Sequence, residues 1–418
     1  MSERSRKRLL MLSTSVPVPA NNGSCMRVWA MLRCLAAEGY EVELMCFGNV
    51  DDEVRSCQMG PDLCTAVEVI PHPSISLSGQ ADAVGRLGAM LARKPYSVAR
   101  SRSAHMQRRI AERLDEGAFD AVLCEETNLL INLPATLPVP LIVDHQNVEH
   151  LLIQRYIEHS GSLARALYAR LEGASTRAWE RYACVRAQLV LACSEHDRSV
   201  FEKLHQQSPV AVAPNVVDVA SYHPAPDGEP GTVLYTGGMD WYPNRDAVEY
   251  FAHQVLPALR QQAPGARFVV AGRNPSDEFR RQFAGMADVV FTGTVPDMRT
   301  VIAKACVCVV PLRIGSGTRL KILEAAASSK PIVSTSVGVE GLEFRNGYEI
   351  LIAGDAQSFA SATAGLLQDP VRRAQLGAAA RRRVEGRYSL ASLAAALRTA
   401  FGHLPVLSNG RSYTCGVR

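Results

Sequence analysis

The amino-acid sequence predicts an α/β protein built from two doubly wound parallel sheets. Short apolar runs rich in Val, Ile and Leu alternate with helical stretches along the chain. The runs lack strict polar alternation, which is typical of parallel strands that are covered on both faces. The alternation passes once through the first half and starts again near Thr232, and a length of 418 residues suits two domains.

The apolar runs predict seven strands in the first half of the chain and six in the second. Strands that alternate with helices form open parallel sheets with right-handed crossovers. The first seven runs are Arg8–Leu12, Val42–Phe47, Ala66–Ile70, Ala121–Cys124, Leu141–Val143, Leu189–Cys193 and Val210–Ala213. The other six are Thr232–Tyr235, Phe268–Ala271, Val289–Thr292, Val307–Leu312, Ile332–Ser336 and Glu349–Ala353.

Three segments are predicted to lie outside both sheets. The interval Pro214–Gly231 is rich in proline and glycine and lacks periodicity, so it is predicted to link the two domains. The last helical pattern, Leu390–Phe401, has no strand after it and could cover either domain. The tail from Leu404 to Arg418 is expected to be poorly ordered.

The composition favours a cytoplasmic protein. The net charge of +4 is too small to indicate nucleic-acid binding, for which a clustered excess of Lys and Arg is expected. The 11 cysteines form no Cys-x-x-Cys pair, which fits reduced thiols. The start of the chain lacks a signal-peptide core, and no apolar stretch is long enough to predict a transmembrane helix.

Arginines are frequent in two regions, Arg155–Arg186 and Arg372–Arg383. Solvated helix faces are the simpler interpretation of such charge. The alternative is contact with an acidic membrane surface or with a diphosphate-lipid substrate.

The strongest candidate site follows the strand Val307–Leu312, where a glycine-bearing loop leads into a helix. Gly315 and Gly317 let backbone amides approach a ligand, and Thr318 is expected to cap the helix. Free amides and the positive end of a helix together bind anions, and a diphosphate would suit them.

Charged residues continue this segment into the helix. Arg319 and Lys321 put positive charge in the first turn, where it opposes the helix dipole and is better explained by a bound anion. Glu324 lies one turn further on and could accept hydrogen bonds from two vicinal hydroxyls, such as those of a ribose. The alternative is an ordinary strand–turn–helix with surface charges, since Gly-x-Gly alone is a weak signal.

Two further loops lead from a strand into a helix. Asn22 and Gly23 follow the first strand, and their amides could reach the same phosphates or simply form a turn and a helix cap. The segment from Gly237 to Arg245, which includes Gly238, follows the strand that starts at Thr232. Within it, Trp241 could pack against the helix or contact a ligand.

His145 directly follows the strand Leu141–Val143 and Asp144. A histidine at the carboxyl end of a strand is expected to face the ligand side of the sheet, where it could hydrogen-bond a sugar hydroxyl. A structural histidine is the alternative. Asp144 and Glu149 are the nearby carboxylates.

Several signatures of other classes do not occur in the sequence. There is no Asp-x-Asp pair, so a metal-held nucleotide sugar is not indicated, and there is no phosphate loop of the Gly-x-x-x-x-Gly-Lys type. A Gly-x-Ser-x-Gly elbow is also lacking, and Gly-x-Gly-x-x-Gly does not follow the first strand. An ATPase, a serine hydrolase and a nicotinamide enzyme are therefore disfavoured.

Together these segments resemble glycosyltransferase family 4, the retaining transferases of GT-B fold. The most specific part is Gly315–Glu324 with Ala325, and the opening Pro17–Arg27 most resembles sugar transferases of exopolysaccharide gene systems. The other matching segments are Cys193-Ser-Glu195, Ala213-Pro-Asn-Val-Val-Asp218, Tyr235-Thr-Gly-Gly-Met239 with Pro243-Asn244, Val270-Ala-Gly272, Val290-Phe-Thr-Gly293 and Lys330-Pro-Ile-Val333.

The resemblance implies two Rossmann-like domains with the donor site in the cleft between them. The N-terminal, acceptor-side domain would span 1–216 and the nucleotide-sugar-binding domain 217–386. The helix 387–403 would cross back to the N-terminal domain, ahead of a flexible tail at 404–418.

The resemblance also implies roles for single residues. Arg319 and Lys321 would neutralise phosphate, Glu324 would bind the nucleotide ribose, and His145 would contact the transferred sugar. The remaining donor-binding residues would be Asn22, Gly23, Gly238, Arg245, Arg273, Gly293, Gly315, Ser316, Gly317, Thr318 and Leu320.

Two positions depart from the family pattern. The family often has a glutamate eight residues before the ribose glutamate, and Ser316 stands there in this chain. The Met239–Arg245 segment replaces the usual Arg and Lys after the first strand of the C-terminal domain. Arg245, Arg273 and Lys321 are the candidates to supply the missing charge.

The expected function is therefore retaining transfer of a sugar from a nucleotide-diphosphate sugar to an acceptor hydroxyl, in polysaccharide or glycolipid biosynthesis. The partners would be the nucleotide sugar and a saccharide or lipid-linked acceptor, with no cofactor, metal or nucleic acid, and with peripheral contact at the inner face of the membrane. A nucleotide-sugar epimerase and a catalytically silent binding subunit are the alternatives, and Ser316 keeps the second one open.

Overall fold

The computed structural model describes residues 6–73, 79–117, 119–158, 163–225 and 227–407. These residues fall into two compact units. The first unit contains the described residues up to Pro214 together with those from Leu393 onward. The second unit contains the described residues of Asn215–Ser392.

The first unit is a parallel sheet with helices between its strands. Its strands are β1 (Arg8–Ser13), β2 (Glu41–Gly48), β3 (Ala66–Pro71), β4 (Ala121–Glu125), β5 (Leu141–His145), β6 (Leu189–Ala192) and β7 (Val210–Val212). Its helices are α1 (Gly23–Ala37), α2 (Val50–Ser56), α3 (Gly79–Leu91), α4 (Tyr96–Arg100), α5 (Ala104–Asp115), α6 (Glu149–Glu158), α7 (Leu163–Arg186) and α8 (Glu195–Leu204). The strand order is β3-β2-β1-β4-β5-β6-β7.

The second unit repeats this architecture with six strands. They are β8 (Thr232–Thr236), β9 (Arg267–Ala271), β10 (Val289–Gly293), β11 (Val307–Val310), β12 (Ile332–Ser334) and β13 (Leu351–Ile352), in the order β10-β9-β8-β11-β12-β13. Its helices are α9 (Tyr242–Tyr250), α10 (Leu256–Gln262), α11 (Asp277–Arg281), α12 (Met298–Lys304), α13 (Leu320–Ala327), α14 (Ser336–Val339), α15 (Ala356–Gln368) and α16 (Pro370–Arg387). The last helix is α17 (Leu390–Phe401), which ends among residues of the first unit.

The predicted fold class is confirmed: both units are Rossmann-like, and every predicted strand coincides with an observed one. Neighbouring strands are parallel, as in the pairing of β1 with both β2 and β4. Some predicted ends are too long. The run Ile332–Ser336 stops at Ser334 because the Thr335 side chain caps α14 by accepting a hydrogen bond from the Gly338 amide at 2.9 Å.

Helix α5 illustrates how local sequence and packing agree. The Ser103 hydroxyl accepts a hydrogen bond from the Met106 amide at 3.2 Å and so caps the helix. Met106, Ile110 and Leu114 recur every four residues, and all three are buried against the sheet core of the first unit.

The interval Pro214–Gly231, predicted as a linker, is packed structure for much of its length. The Val217 amide donates a hydrogen bond to the Tyr388 carbonyl oxygen at 3.0 Å, and Val217 bridges to Ser389. Tyr222 is buried. Proline and glycine content did not reveal these contacts, because they depend on residues more than 150 positions away in the chain.

The end of α17 packs on the first unit. The Phe401 ring meets the Tyr40 ring edge to face at 5.6 Å, and Arg398 forms an ion pair with Glu38. The tail from Leu404 was expected to be poorly ordered, but Leu404 and Leu407 are buried. The rest of that tail, 408–418, lies outside the described residues.

Ten of the 11 cysteines lie in the described part of the chain, and all ten are free thiols. Within that same part, none of the helices combines the length and the apolar character needed to cross a bilayer.

The substitution Phe401→Ala is expected to lower the free energy of unfolding of the first unit by about 3–5 kcal/mol, because it leaves a cavity under the Tyr40 ring. A urea titration followed by tryptophan fluorescence measures this change. Thr399→Ala, at an exposed position of the same helix, is the control and should stay within about 0.5 kcal/mol of the parent. Equal effects of the two substitutions would contradict the packing of α17.

Candidate functional site

The candidate site lies where the strand order of the second sheet reverses, between β8 and β11. Ligands of open parallel sheets bind outside the carboxyl ends of the strands at such a point. The loops after β8 and β9 meet there. The Gly237 amide donates to the Ala271 carbonyl oxygen, and the Met239 amide to the Arg273 carbonyl oxygen, both at 2.9 Å.

Gly272 is required by this close approach of two loops. A Cβ atom at Gly272 would lie 1.9 Å from the Gly237 carbonyl oxygen, which is far inside van der Waals contact. The amide of Gly272 also faces the carbonyl oxygen of Gly293, the predicted base-binding residue at the end of β10, at 3.3 Å. Gly293 therefore adjoins the two loops.

The loop between β11 and α13 carries the predicted Gly-Ser-Gly-Thr segment. Gly317 has φ +72°, a left-handed conformation that favours glycine. Helix α13 begins at Leu320 with Arg319 as its N-cap, and no side chain caps it. The prediction that Thr318 caps the helix is therefore wrong: its hydroxyl accepts a hydrogen bond from the Asn215 side chain at 2.7 Å.

Arg319 stabilises the loop. Its side chain is buried, and its guanidinium donates hydrogen bonds to the carbonyl oxygens of Ser316 and Gly317 and, at 3.4 Å, to that of Val337. The guanidinium is thus turned towards the backbone of its own loop and fixes the conformation in which the loop amides are held.

Ser316 occupies the position of the family glutamate. Its hydroxyl is buried and has no hydrogen-bond partner among the described residues. A buried polar atom without a partner is uncommon in folded proteins and calls for a ligand or water. The Ser316 hydroxyl could therefore donate a hydrogen bond to an oxygen atom of a ligand.

Lys321 is held by two neutral oxygens of the β8 side of the site. Its Nζ atom donates hydrogen bonds to the Tyr235 hydroxyl at 2.8 Å and to Asn244 Oδ1 at 3.0 Å, and it lies 4.1 Å from the centre of the Tyr235 ring. Burial, and next the charge of Arg319, lower the pKa of Lys321 to about 7. The amine is therefore poised between its charged and neutral forms.

The side chains that position Lys321 were not identified from sequence. Tyr235 donates a hydrogen bond to Asn244 Oδ1 at 2.6 Å, which fixes both oxygens that Lys321 contacts. The signal available in the sequence was a tyrosine near the end of an otherwise apolar strand, because a buried hydroxyl needs a partner.

Glu324 lies one turn beyond Lys321 and is half-buried. One of its oxygens accepts a hydrogen bond from the Tyr222 hydroxyl at 3.0 Å. Burial raises the pKa of Glu324, although this hydrogen bond and Lys321 oppose the shift. The sequence did not identify Tyr222 as a site residue, because Tyr222 lies in the interval predicted to be a linker.

The other predicted donor-binding residues of the second unit surround this group. Gly238 accepts a hydrogen bond from the Asn244 side chain at 2.8 Å, and Arg245 is half-buried in α9. Arg273 Nε lies 3.3 Å from Asp240 Oδ2, so its charge is partly balanced. Gly315 belongs to the loop held by Arg319, and Leu320 is the first residue of α13.

The first unit has a second cluster of polar side chains, at its own strand-order reversal between β1 and β4. Asn22 is the N-cap of α1, and its side chain accepts a hydrogen bond from the Cys25 amide at 3.0 Å. Gly23 is the exposed first residue of that helix. Asn22 therefore acts as a helix cap in this structure, which is one of the two roles that the sequence suggested for it.

A buried ion pair ties α1 to β5. Arg27 donates hydrogen bonds to both carboxylate oxygens of Asp144 at 2.5 Å and to the Ala213 carbonyl oxygen at 3.0 Å. Both charged side chains are almost completely buried. Sequence analysis noted Asp144 but not its partner, because the two residues are 117 positions apart.

Three glutamates lie at the same end of this sheet with raised pKa values. Burial, and next the charge of Asp144, raise the pKa of Glu125 well above its usual range. Burial also raises the pKa of Glu126, which has φ +69° and accepts a hydrogen bond from the Ser24 hydroxyl at 2.9 Å. Burial, with Glu180 and Glu126 nearby, raises the pKa of Glu149 to about 7. Of the three, Glu149 is therefore poised to exchange a proton near neutral pH.

His145 does not face outward from the sheet as expected. Its ring is buried against the ring of Phe201 at 4.1 Å, and its Nε2 atom lies 3.5 Å from Cys184 Sγ. Burial lowers the pKa of His145 to about 4, so the imidazole is neutral. Its contact with a transferred sugar stays a prediction.

Part of the second unit is similar to a described protein family. Residues 230–369 match the family model described as "Glycosyl transferases group 1". The match covers β8 to α15 and includes Lys321, Glu324 and the loop between β11 and α13. Over these residues the second unit is similar to the group 1 glycosyltransferases.

Two curated proteins are also similar to this chain. An uncharacterized 44.6 kDa protein in the cps region of Klebsiella pneumoniae is 22% identical over 368 residues, which cover 84% of this chain and 89% of that protein. A phosphatidyl-myo-inositol mannosyltransferase of Mycolicibacterium smegmatis is 32% identical over 181 residues, or 41% of this chain and 46% of the relative.

Solved structures establish the fold as GT-B. Sucrose-phosphate synthase from Thermosynechococcus elongatus superposes with a TM-score of 0.70 at 18% identity and covers 95% of this chain and 98% of its own. Anabaena HepE in complex with UDP-glucose superposes with a TM-score of 0.63 at 14% identity, covering 94% and 98% of the two chains.

The substitution Asp144→Ala is expected to destabilise the first unit by about 3–5 kcal/mol, because it leaves the Arg27 guanidinium buried without its counter-ion. Urea unfolding measures the effect. Glu38→Ala, which removes the partner of the exposed Arg398 side chain, is the matched control and should cost about 1 kcal/mol or less. A loss of similar size in both variants would show that the buried pair has no special role.

Proposed function

We propose that the protein is a retaining glycosyltransferase that moves a sugar from a nucleoside-diphosphate sugar to an acceptor hydroxyl, in polysaccharide or glycolipid biosynthesis. The observation that carries the proposal is the arrangement at the start of α13. An uncapped helix end, the partnerless hydroxyl of Ser316 and the amine of Lys321 lie within one short segment. This combination suits the diphosphate of a donor.

In the proposed complex, the donor diphosphate lies against the amides around Gly317 and Thr318 and accepts a hydrogen bond from Ser316. Lys321 approaches the phosphate oxygens, with Arg245 and Arg273 as further sources of positive charge. Arg319 preorganises the site, because its hydrogen bonds to the carbonyl oxygens of Ser316 and Gly317 fix the loop in the absence of a ligand.

The nucleoside would lie beside the same group of residues. Glu324 has one oxygen in contact with the Tyr222 hydroxyl, and its carboxylate can accept further hydrogen bonds from the two ribose hydroxyls. The backbone near Gly293 would border the base. Support for this kind of donor comes from HepE, which has the same fold and whose structure contains UDP-glucose.

Bond breaking would place negative charge on the leaving diphosphate. Lys321, the loop amides and the helix end would stabilise that charge, and no metal ion is invoked in this step. In the retaining mechanism, a departing phosphate oxygen takes the proton of the acceptor hydroxyl while the new glycosidic bond forms on the same face. A dedicated general base is then unnecessary.

The acceptor would bind at the carboxylate cluster of the first unit. Glu126 can accept hydrogen bonds from sugar hydroxyls, and Glu149, whose pKa burial raises to about 7, can accept or donate them. His145 would contact the transferred sugar, as the family resemblance implies, which requires its ring to turn away from Phe201. Support for a saccharide or lipid-linked acceptor comes from the relative in a cps region and from the phosphatidyl-myo-inositol mannosyltransferase.

Lys321→Ala and Glu324→Gln are each expected to lower the rate of sugar transfer by about 10²–10³, because each removes one contact to the leaving nucleotide. The rate is measured as nucleoside diphosphate released in the presence of donor and acceptor. Lys304→Ala, which removes an exposed lysine of the same unit, is the matched control and should keep the parental rate. Parental turnover by both site variants would rule out the assigned site.

Product analysis with the donor alone, together with a nucleoside-diphosphate binding measurement, separates the alternatives. An epimerase would convert the donor without an acceptor, and a catalytically silent binding subunit would bind nucleoside diphosphate without turnover. The second alternative is favoured by Ser316 at the position of the family glutamate. A transferase releases nucleoside diphosphate only in step with acceptor glycosylation.

Nucleoside-diphosphate affinity is expected to fall by about tenfold per pH unit above pH 7. In the free protein Lys321 has a pKa of about 7, and a bound anion raises it, so binding above pH 7 takes up a proton. Below pH 7 the amine is already protonated and the affinity reaches a plateau. Isothermal titration calorimetry in buffers of different ionisation enthalpy measures both the affinity and the proton uptake.

Lys321→Arg is the control for this pH dependence, because a guanidinium stays charged throughout the range. Its affinity is expected to be nearly constant between pH 7 and 9. An equally steep decline in this variant would assign the titration to another group.

A further inference from the structure

The segment 215–225, which belongs to the interval predicted as a linker, lies along helix α13. Three hydrogen bonds join this segment to the helix and to the loop before it. They run from the Asn215 side chain to the Thr318 hydroxyl at 2.7 Å, from the Tyr222 hydroxyl to Glu324 at 3.0 Å, and from the Ala225 amide to the Ser328 carbonyl oxygen at 3.0 Å. Since Ser328 is the C-cap of α13, these contacts follow the helix from its preceding loop to its end.

Backbone contacts fix Tyr222 independently of Glu324. The Tyr222 carbonyl oxygen accepts a hydrogen bond from Arg381 of α16 at 2.8 Å, and the same guanidinium donates to the carbonyl oxygen of Ala327. The carbonyl oxygen of the preceding residue, Ser221, accepts a hydrogen bond from a second arginine at 3.2 Å. The side chain of Tyr222 is also buried. The Tyr222 hydroxyl is therefore presented to Glu324 from a fixed position.

The Tyr222 hydroxyl acts as a donor towards Glu324. Burial, and next the charge of Glu324, raise the pKa of Tyr222, so the phenol keeps its proton at neutral pH. Burial raises the pKa of Glu324, and the hydrogen bond from Tyr222 opposes this shift. Tyr222 therefore favours the ionised carboxylate, which accepts hydrogen bonds and donates none.

Much of the Glu324 carboxylate stays available to a ligand. In the described part of the chain, Tyr222 is the one residue that donates a hydrogen bond to this carboxylate. An ionised carboxylate has about four lone-pair positions, of which the tyrosine occupies one. Because Glu324 is only half-buried, two vicinal hydroxyls of a ligand could take up two of the others.

We propose that Tyr222 is a positioning residue that lets Glu324 distinguish ribonucleoside from 2′-deoxyribonucleoside diphosphates. The inference rests on the proposed function, in which the nucleoside of the donor binds at Glu324. With one oxygen held by Tyr222, the carboxylate meets the two ribose hydroxyls in a fixed orientation. A 2′-deoxyribose leaves one lone pair of a partly desolvated carboxylate without a donor, and this lowers its affinity.

Calorimetric titration of the full chain tests the proposal, with UDP, GDP and ADP and their 2′-deoxy analogues as probes. With its preferred base, the parent is expected to bind the ribonucleotide about tenfold to a hundredfold more tightly than the deoxy analogue, since one hydrogen bond to a charged group is lost. In Tyr222→Phe this ratio should fall to about threefold, because a carboxylate that can turn must be ordered by the ligand itself. A parent that binds both sugars equally would overturn the proposal.

Tyr388→Phe is the matched control. Tyr388 is a buried tyrosine of the same unit, and its hydroxyl accepts a hydrogen bond from the Glu343 amide at 2.7 Å. This variant should keep the parental ratio of affinities, and thermal unfolding verifies that both variants are folded. An equal loss of affinity for both nucleotides in Tyr222→Phe, with an unchanged ratio, would indicate a purely structural role and overturn the proposal. A ratio that falls equally in Tyr388→Phe would overturn it too.

Glu324→Ala separates a failure of this inference from a failure of the proposed function. If the ribose binds at Glu324, this variant should bind ribonucleotide and deoxyribonucleotide about equally. A parental ratio in Glu324→Ala, or a parent that binds none of the probes, would contradict the proposed function and the inference together. Loss of the ratio in Glu324→Ala combined with a parental ratio in Tyr222→Phe would overturn the inference alone.

Discussion

The candidate donor site depends on one constraint, the partial removal of the Lys321 amine from water. Two neutral oxygens and one aromatic ring hold the amine, and among the described residues no carboxylate forms an ion pair with it. A carboxylate partner would keep the lysine charged and occupied, whereas hydroxyl and amide oxygens leave its charge weakly compensated. The surrounding features support this arrangement: Arg319 fixes the loop, Tyr222 positions Glu324, and the loops after β8 and β9 pack backbone to backbone.

The two units use similar topology for different electrostatic purposes. The reversal point of the second sheet gathers amides, a hydroxyl and a lysine, which suits a negatively charged ligand. The reversal point of the first sheet gathers glutamates whose pKa values are raised, around the buried pair of Arg27 and Asp144. Parallel strands end at the same edge in both units, and the side chains placed there set the chemistry.

The sequence predicted the strands well because their signal is local. Buried parallel strands must be apolar on both faces, and all thirteen such runs became strands. Parts of the candidate site were also predicted, since Gly315–Glu324 is a continuous segment. The failures concern residues whose partners are distant in sequence. Thr318 pairs with Asn215 rather than capping α13, and His145 packs on Phe201. No local pattern reveals such pairs, and neither Tyr222 nor Arg27 could be assigned without the fold.

The close approach of Gly272 to Gly237 limits which positions of the candidate site can be substituted. A side chain at Gly272 would collide with backbone rather than with a movable group, so this contact tolerates no enlargement. Arg273 and Asp240, in contrast, present partly exposed side chains from the same two loops. If the proposed donor binds here, these two side chains are the positions to vary when its nucleotide selectivity is engineered, because the glycine pair beneath them keeps the loops in register.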